Sequence, residues 1–159
     1  MDIPDNEPDY AAELETIRAA YVASMPAQRM RVIQSRLNDP AGGPNVLVTS
    51  VSAVEALARS LAMCSRAKNK SHLSSIYGQY RDRKAASLVK EYLAGQGHPN
   101  PADFFGTEIW RKFGYAVSYR NLLVHECTYL GQDKYPHLIA ACASILDKLT
   151  ELAGLSRKP

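Results

Sequence analysis

Between residues 138 and 152 the apolar side chains Leu138, Cys142, Ile145, Leu149 and Leu152 follow one another in steps of four and three. That spacing puts them on one face of a helix, and Gly154 just beyond is a stop signal. The same stepping recurs upstream at Tyr10, Leu14, Ile17 and Tyr21. It returns at Met30, Ile33 and Leu37, at Leu47, Val51, Val54, Leu57 or Ala58, and Leu61, and at Leu73, Ile76, Tyr80, Leu88 and Tyr92. No run rich in Val, Ile or Thr alternates in polarity between hairpin turns. The expected class is all-α, an antiparallel bundle of four to five helices.

Punctuation sets the expected boundaries. Residues 1–8, with Pro4 and Pro8, read as a loose acidic arm. Residues 9–155 read as one helical domain and 156–159 as a frayed tail. Asp9 is placed to cap the first helix, Pro26 to break it, and the loop Asn38–Asn45 to end the second piece. The most apolar helix is expected over 46–66, and a further helix carries Leu73 to Tyr92 and ends at Gly95 and Gly97. Asn100, Pro101 and Asp103 form a helix-start signal. Gly106 then divides a short turn from a main helix over 107–129, and Gly131–Lys134 forms a turn before the last helix.

The chain of 159 residues, 46% hydrophobic and 22% charged, is long enough for one core and globular in composition. No run of about 18 apolar residues is present, so no membrane span is expected. The acidic start lacks the apolar segment of a secretory signal. Three cysteines, Cys64, Cys127 and Cys142, lie inside helical patterns with no Cys-x-x-Cys spacing, which suggests reduced thiols in a cytoplasm. The histidines are scattered, and neither a metal site nor a cofactor is expected.

Net charge is +3, but its distribution is uneven. The first fifteen residues hold six acids and no Lys or Arg, which leaves all nineteen basic residues against ten acids in the remainder. A polyanion is the partner such a balance favours. Arg66, Lys68, Lys70, Arg81, Arg83 and Lys84 are the densest cluster, interleaved with His72, Tyr77 and Tyr80. Cations hold phosphates and rings stack on bases, so these six are candidate RNA-binding residues. A solvated face with the tyrosines turned to the core would read the same way.

The candidate chemistry lies in Ser118-Tyr-Arg-Asn-Leu-Leu-Val-His-Glu-Cys-Thr-Tyr129. Without a proline from Gly114 to Tyr129 a continuous helix is expected, with Ser118, Asn121, His125 and Tyr129 in one polar row. Arg120 falls about 140° from His125, on the stripe expected to carry Phe113, Val117 and Val124. An arginine there requires a partner or a route out along its stem. Glu55, the one acid of helix 46–66, can pair with Arg59 at i+4 or orient Arg120 from the facing helix. One helix does not aim Arg120 and His125 at one target, whereas two copies packed antiparallel across a two-fold axis would.

Arg120-Asn-Leu-Leu-Val-His125, late in an all-helical chain, resembles the Arg-x(4–6)-His motif of HEPN domains, whose members commonly carry Asn, Asp or His after the arginine. The motif is six residues long, and the helix order extends the likeness over most of the chain. The resemblance implies a homodimer with both motifs lining one cleft, and a metal-independent endoribonuclease of the toxin–antitoxin, defence or RNA-processing kind, with a cognate antitoxin as a further partner. It implies Arg120 and His125 as catalytic residues, with Asn121, Glu55 and Tyr129 supporting them. HEPN toxins paired with a nucleotidyltransferase antitoxin often read His-x-Tyr; here that position is Cys127, and the nearest tyrosine is Tyr129.

RNA carries its own nucleophile, the ribose 2′-hydroxyl. Cleavage removes that proton, protonates the leaving 5′-oxygen and adds charge at phosphorus. Histidine, with an unperturbed pKa near 6.5, suits the proton transfers, and the guanidinium fork suits the phosphate. The alternative is a catalytically inactive helical module for RNA or nucleotide binding, or for dimerisation, in which Arg120 only pairs with an acid.

Overall fold

The computed structural model describes residues 8–23 and 43–155. The expected arm, the helical piece with Met30, Ile33 and Leu37, most of the loop before Asn45 and the tail fall outside these residues. So do the side chains of Tyr21 and Lys70.

The described residues are all-helical, with seven α-helices and no strand. They are α1 (Tyr10–Ala23), α2 (Gly43–Arg66), α3 (Lys70–Tyr80), α4 (Ala85–Gly95), α5 (Pro101–Phe105), α6 (Thr107–Glu126) and α7 (Tyr135–Leu152). A 3-10 turn at Gln132–Lys134 precedes α7.

The helix starts follow from local chemistry. Asp9 Oδ1 accepts from the amides of Ala11 and Ala12, each at 3.1 Å, which satisfies two donors that the first turn of α1 leaves open. Asn69 and Asn100 do the same for α3 and α5, accepting from His72 and Ala102 at 2.8 and 3.0 Å. Helix α2 begins at Gly43, three residues earlier than its apolar pattern suggests.

Helix α2 is the centre of the packing and contacts α3, α4, α6 and α7. Leu47, Val51, Val54, Ala58 and Ala62 are sealed from solvent along it. The two alanines let neighbouring helices approach closely, and they belong to one core cluster with Leu47, Leu123, Phe113 and Ile145. By length and composition α2 is apolar enough to cross a bilayer. Here its apolar face is spent on the other helices, and its remaining face carries Glu55 and Arg59.

The expected single helix through Leu73 and Tyr92 is two. Ile76 and Tyr80 are buried in α3, while Ala85, Leu88, Val89, Tyr92 and Leu93 are buried in α4. On one continuous helix these two sets would point roughly 170° apart. The chain turns at Arg81–Lys84, with Lys84 extended (φ −66°, ψ 144°), and so brings both faces to the core.

Helix α6 also departs from expectation. It stops at Glu126, and Cys127 adopts a left-handed conformation (φ 51°) with its amide bonded to Leu123 O at 3.1 Å. Tyr129 therefore leaves the polar row. The buried stripe of α6 is Phe113, Ala116, Tyr119 and Leu123, whereas Val124, expected on it, is 52% exposed. Its outward face runs Gly114, Ser118, Asn121, Val124 and His125, while Val117 packs partly buried against the core. Beyond it Gly131 (φ 79°) lies against the Tyr119 ring, where any Cβ would collide.

Candidate functional site

Arg120 emerges from α6 at the edge of the buried stripe, facing α2. Its Nε donates to Asn121 Oδ1 at 2.9 Å and its Nη2 to Glu55 Oε2 at 3.0 Å. The other Glu55 oxygen accepts from Arg59 Nη2 at 2.8 Å. Both partners that the sequence allows Glu55 are thus taken at once. Arg59 continues the chain of contacts, donating through Nε to the Tyr80 carbonyl at 3.2 Å at the end of α3. One carboxylate therefore ties α2 to α6, and one guanidinium ties α2 to α3.

The group is only partly shielded: the Arg120 and Arg59 side chains are 17% exposed and Glu55 is 21% exposed. Burial acts to raise the Glu55 carboxyl, but the hydrogen bonds and charges of Arg59 and Arg120 outweigh it and hold the carboxyl below its ordinary range. Two cations on one anion leave an excess positive charge. Arg120 Nη1 makes no bond to the described residues, so the guanidinium keeps a donor edge available to an anion.

His125 is exposed in the last turn of α6, one turn beyond Asn121. No bond joins it to Arg120 or Asn121 among the described residues; the Asn121 carbonyl oxygen is taken by Arg120. Ser118, in the same row, donates to the Gly114 carbonyl at 3.3 Å. Tyr129 lies past the helix end, off the row in which the sequence placed it. The structure thus brings together Arg120, Asn121 and Glu55, adds Arg59, and leaves His125 and Tyr129 apart from them within one chain.

The six candidate RNA-binding residues do not form one uniform patch. Arg83 Nη1 bonds Glu91 Oε2 at 2.6 Å and its guanidinium lies 5.0 Å from the Tyr80 ring centre. Arg66 Nη1 reaches the Tyr80 hydroxyl at 3.1 Å, and that hydroxyl donates to Glu91 Oε1 at 3.2 Å. Arg81 pairs with its neighbour Asp82. Lys68 and Lys84 are exposed, and Lys70 opens α3. Glu91 is the counter-charge that local reading missed, because it becomes a neighbour only once the chain turns at Arg81–Lys84. The two tyrosines separate cleanly. Tyr80 is buried and Tyr77 is 47% exposed.

Cys142 on α7 is buried, and burial pushes its thiol up to about 12 although the Arg120 charge pulls the other way. Among the described residues no three His, Cys, Asp or Glu side chains gather as a metal site requires.

Compared with models of protein families, with curated proteins and with solved structures, the chain matches none.

Proposed function

We propose that this chain is a metal-independent endoribonuclease of the HEPN type, cleaving RNA by 2′-hydroxyl attack, and serving as the toxin of a toxin–antitoxin or defence system. The working unit in this proposal is a two-fold dimer of antiparallel helical bundles. The observation that carries the reading is the setting of Arg120. Asn121 and Glu55 hold it with its Nη1 uncommitted among the described residues, and His125 stands on the outward face of the same helix.

The chemistry divides between the two residues. Arg120 binds the scissile phosphate through its free edge and stabilises the charge that grows there. His125 takes or returns the proton of the reacting oxygens. Asn121 and Glu55 fix the guanidinium plane so that its donors are aimed before substrate arrives. Because His125 points about 140° away from Arg120, the pair from one chain is incomplete. Val124 and Asn121 flank His125 on the open face of α6, which suits packing against a second copy that supplies the missing member.

A second reading is favoured by one contact. The Glu55–Arg120 pair at 3.0 Å already satisfies part of the guanidinium. In a catalytically inactive RNA-binding or dimerisation module it would have no further task.

Incubation of the purified protein with mixed single-stranded RNA in EDTA, beside His125→Ala prepared identically, separates the two. Cleavage by the unaltered protein alone, leaving 2′,3′-cyclic phosphate and 5′-hydroxyl ends, is the expected result. Cutting of a deoxy strand, or equal activity in both samples, would refute the mechanism. Absence of cleavage in both would move the assignment to the binding module.

A further inference from the structure

An open groove of about 330 Å³ runs between α2 and α3, lined by Arg59, Ser60, Met63, Cys64, Leu73 and Tyr77. Its volume lies at the small end of ligand sites, roughly 300–1,000 Å³. No acid lines it. Tyr77 leaves much of its ring to solvent, Leu73 lies one turn before it on α3, and Met63 supplies adaptable apolar surface from α2. Arg59 is the wall residue that also bonds Glu55, so a single carboxylate connects the groove to Arg120.

Charge narrows the choice of occupant. The segment that forms and brackets the groove, residues 64–84, carries six basic residues against Asp82; Glu91 of α4 pairs with Arg66 and Arg83 and leaves the balance positive, and Arg66 and Arg81 are largely exposed. An apolar slot with an exposed aromatic ring, set in a positive surround, is complementary to a polyanion that bears flat apolar faces. Single-stranded nucleic acid has that chemistry: phosphates meet the cations while a base stacks on the ring.

We propose that this groove is a nucleobase subsite for single-stranded RNA, holding one base against Tyr77 while the adjoining backbone reaches Arg120. This rests on the ribonuclease reading above and adds a specificity element to it. Tyr77 and Met63 select for the presence of a base, and the basic residues around them select only for phosphate.

Cys64 is exposed in the groove wall and reports occupancy directly, whereas Cys127 is half-buried and Cys142 buried. The probe is a 2′-O-methyl oligouridine, which lacks the attacking hydroxyl and so survives intact, beside an abasic strand of the same length and charge. N-ethylmaleimide labelling is followed by mass spectrometry at each cysteine. The base-bearing strand is expected to slow Cys64 modification about tenfold, the abasic strand to leave it nearly unchanged, and Tyr77→Ala to weaken protection about tenfold. Ser60→Phe, which fills the groove without removing any contact, should abolish protection as well.

Equal protection by both strands, or none by either, would overturn the subsite. So would a Cys64 already unreactive in the free protein, since the groove would then be filled by the chain itself or a second copy. Ordinary RNA cleaved without Cys64 protection would reject the groove and keep the ribonuclease. Protection without cleavage would support the groove and reject the catalysis.

Discussion

Glu55 Oε2 accepts from Arg120 Nη2 at 3.0 Å across 65 residues of sequence, while Glu55 Oε1 accepts from Arg59 at 2.8 Å. A carboxylate shared in this way couples two helices and leaves both arginines dependent on one anion.

Replacing Glu55 by Gln should therefore strand two guanidinium groups in a partly desolvated setting. The site is about one-fifth exposed, so the cost falls below that of breaking a fully buried pair, at about 1–3 kcal/mol. A double-mutant cycle with Arg120→Gln should return a coupling of about 1 kcal/mol in urea unfolding. Strict additivity would mean that the contact carries no stability.

The Glu55 carboxyl is held below its ordinary range by the two guanidinium groups bonded to it. A group whose folded pKa is depressed contributes stability that is complete above the unfolded value and is lost as pH falls through the folded one. The stability gap between the unaltered protein and Glu55→Gln should thus be constant above about pH 5.5 and close progressively below about pH 4.5. Urea midpoints measured across that window test it, and a gap that widens in acid would reverse the sign.

His125 and Arg120 should behave alike in catalysis and differently in stability. His125 is exposed, so His125→Ala should shift stability by less than about 0.5 kcal/mol yet reduce RNA cleavage about 10²–10⁴-fold. Arg120→Ala should reduce cleavage comparably and also destabilise the fold by about 1–2 kcal/mol, since Glu55 loses a partner. Parallel thermal unfolding and cleavage assays on the two variants separate these effects.

Gly131 and Gly154 both have positive φ, 79° and 67°, but only Gly131 has a neighbour in the way of a Cβ, the Tyr119 ring. Gly154→Ala should cost about 1 kcal/mol from backbone strain alone. Gly131→Ala should cost more, because the buried Tyr119 ring of α6 must also move. Equal losses of Tm would show that the Tyr119 ring yields freely.

Much of the architecture was legible because burial leaves a periodic trace. The seam Leu138, Cys142, Ile145 and Leu149 is buried as its spacing demands, and Asp9 and Asn100 cap where local chemistry puts them. The break at Arg81–Lys84 was written in the phase shift between Ile76–Tyr80 and Ala85–Val89, a signal that grouping all five apolar residues on one face concealed. The early end of α6 was not legible, since Cys127 carries no helix-stopping chemistry of its own. Its left-handed turn goes with Thr128, which is buried and accepts from Leu130 N at 3.1 Å.

The candidate site divides along the same line. The sequence alone determined the helical class, the residues able to bind phosphate or move a proton, and the 140° that separates Arg120 from His125 on one helix, because all three depend on side-chain type and a fixed pitch. Only the tertiary structure decided that Glu55 serves Arg59 and Arg120 together, that Glu91 pairs with Arg66 and Arg83, and that Tyr77 faces out while Tyr80 faces in. Each of those depends on where a second helix lies, and helix placement is set by the packing of the whole core around α2, which no local stretch of residues encodes.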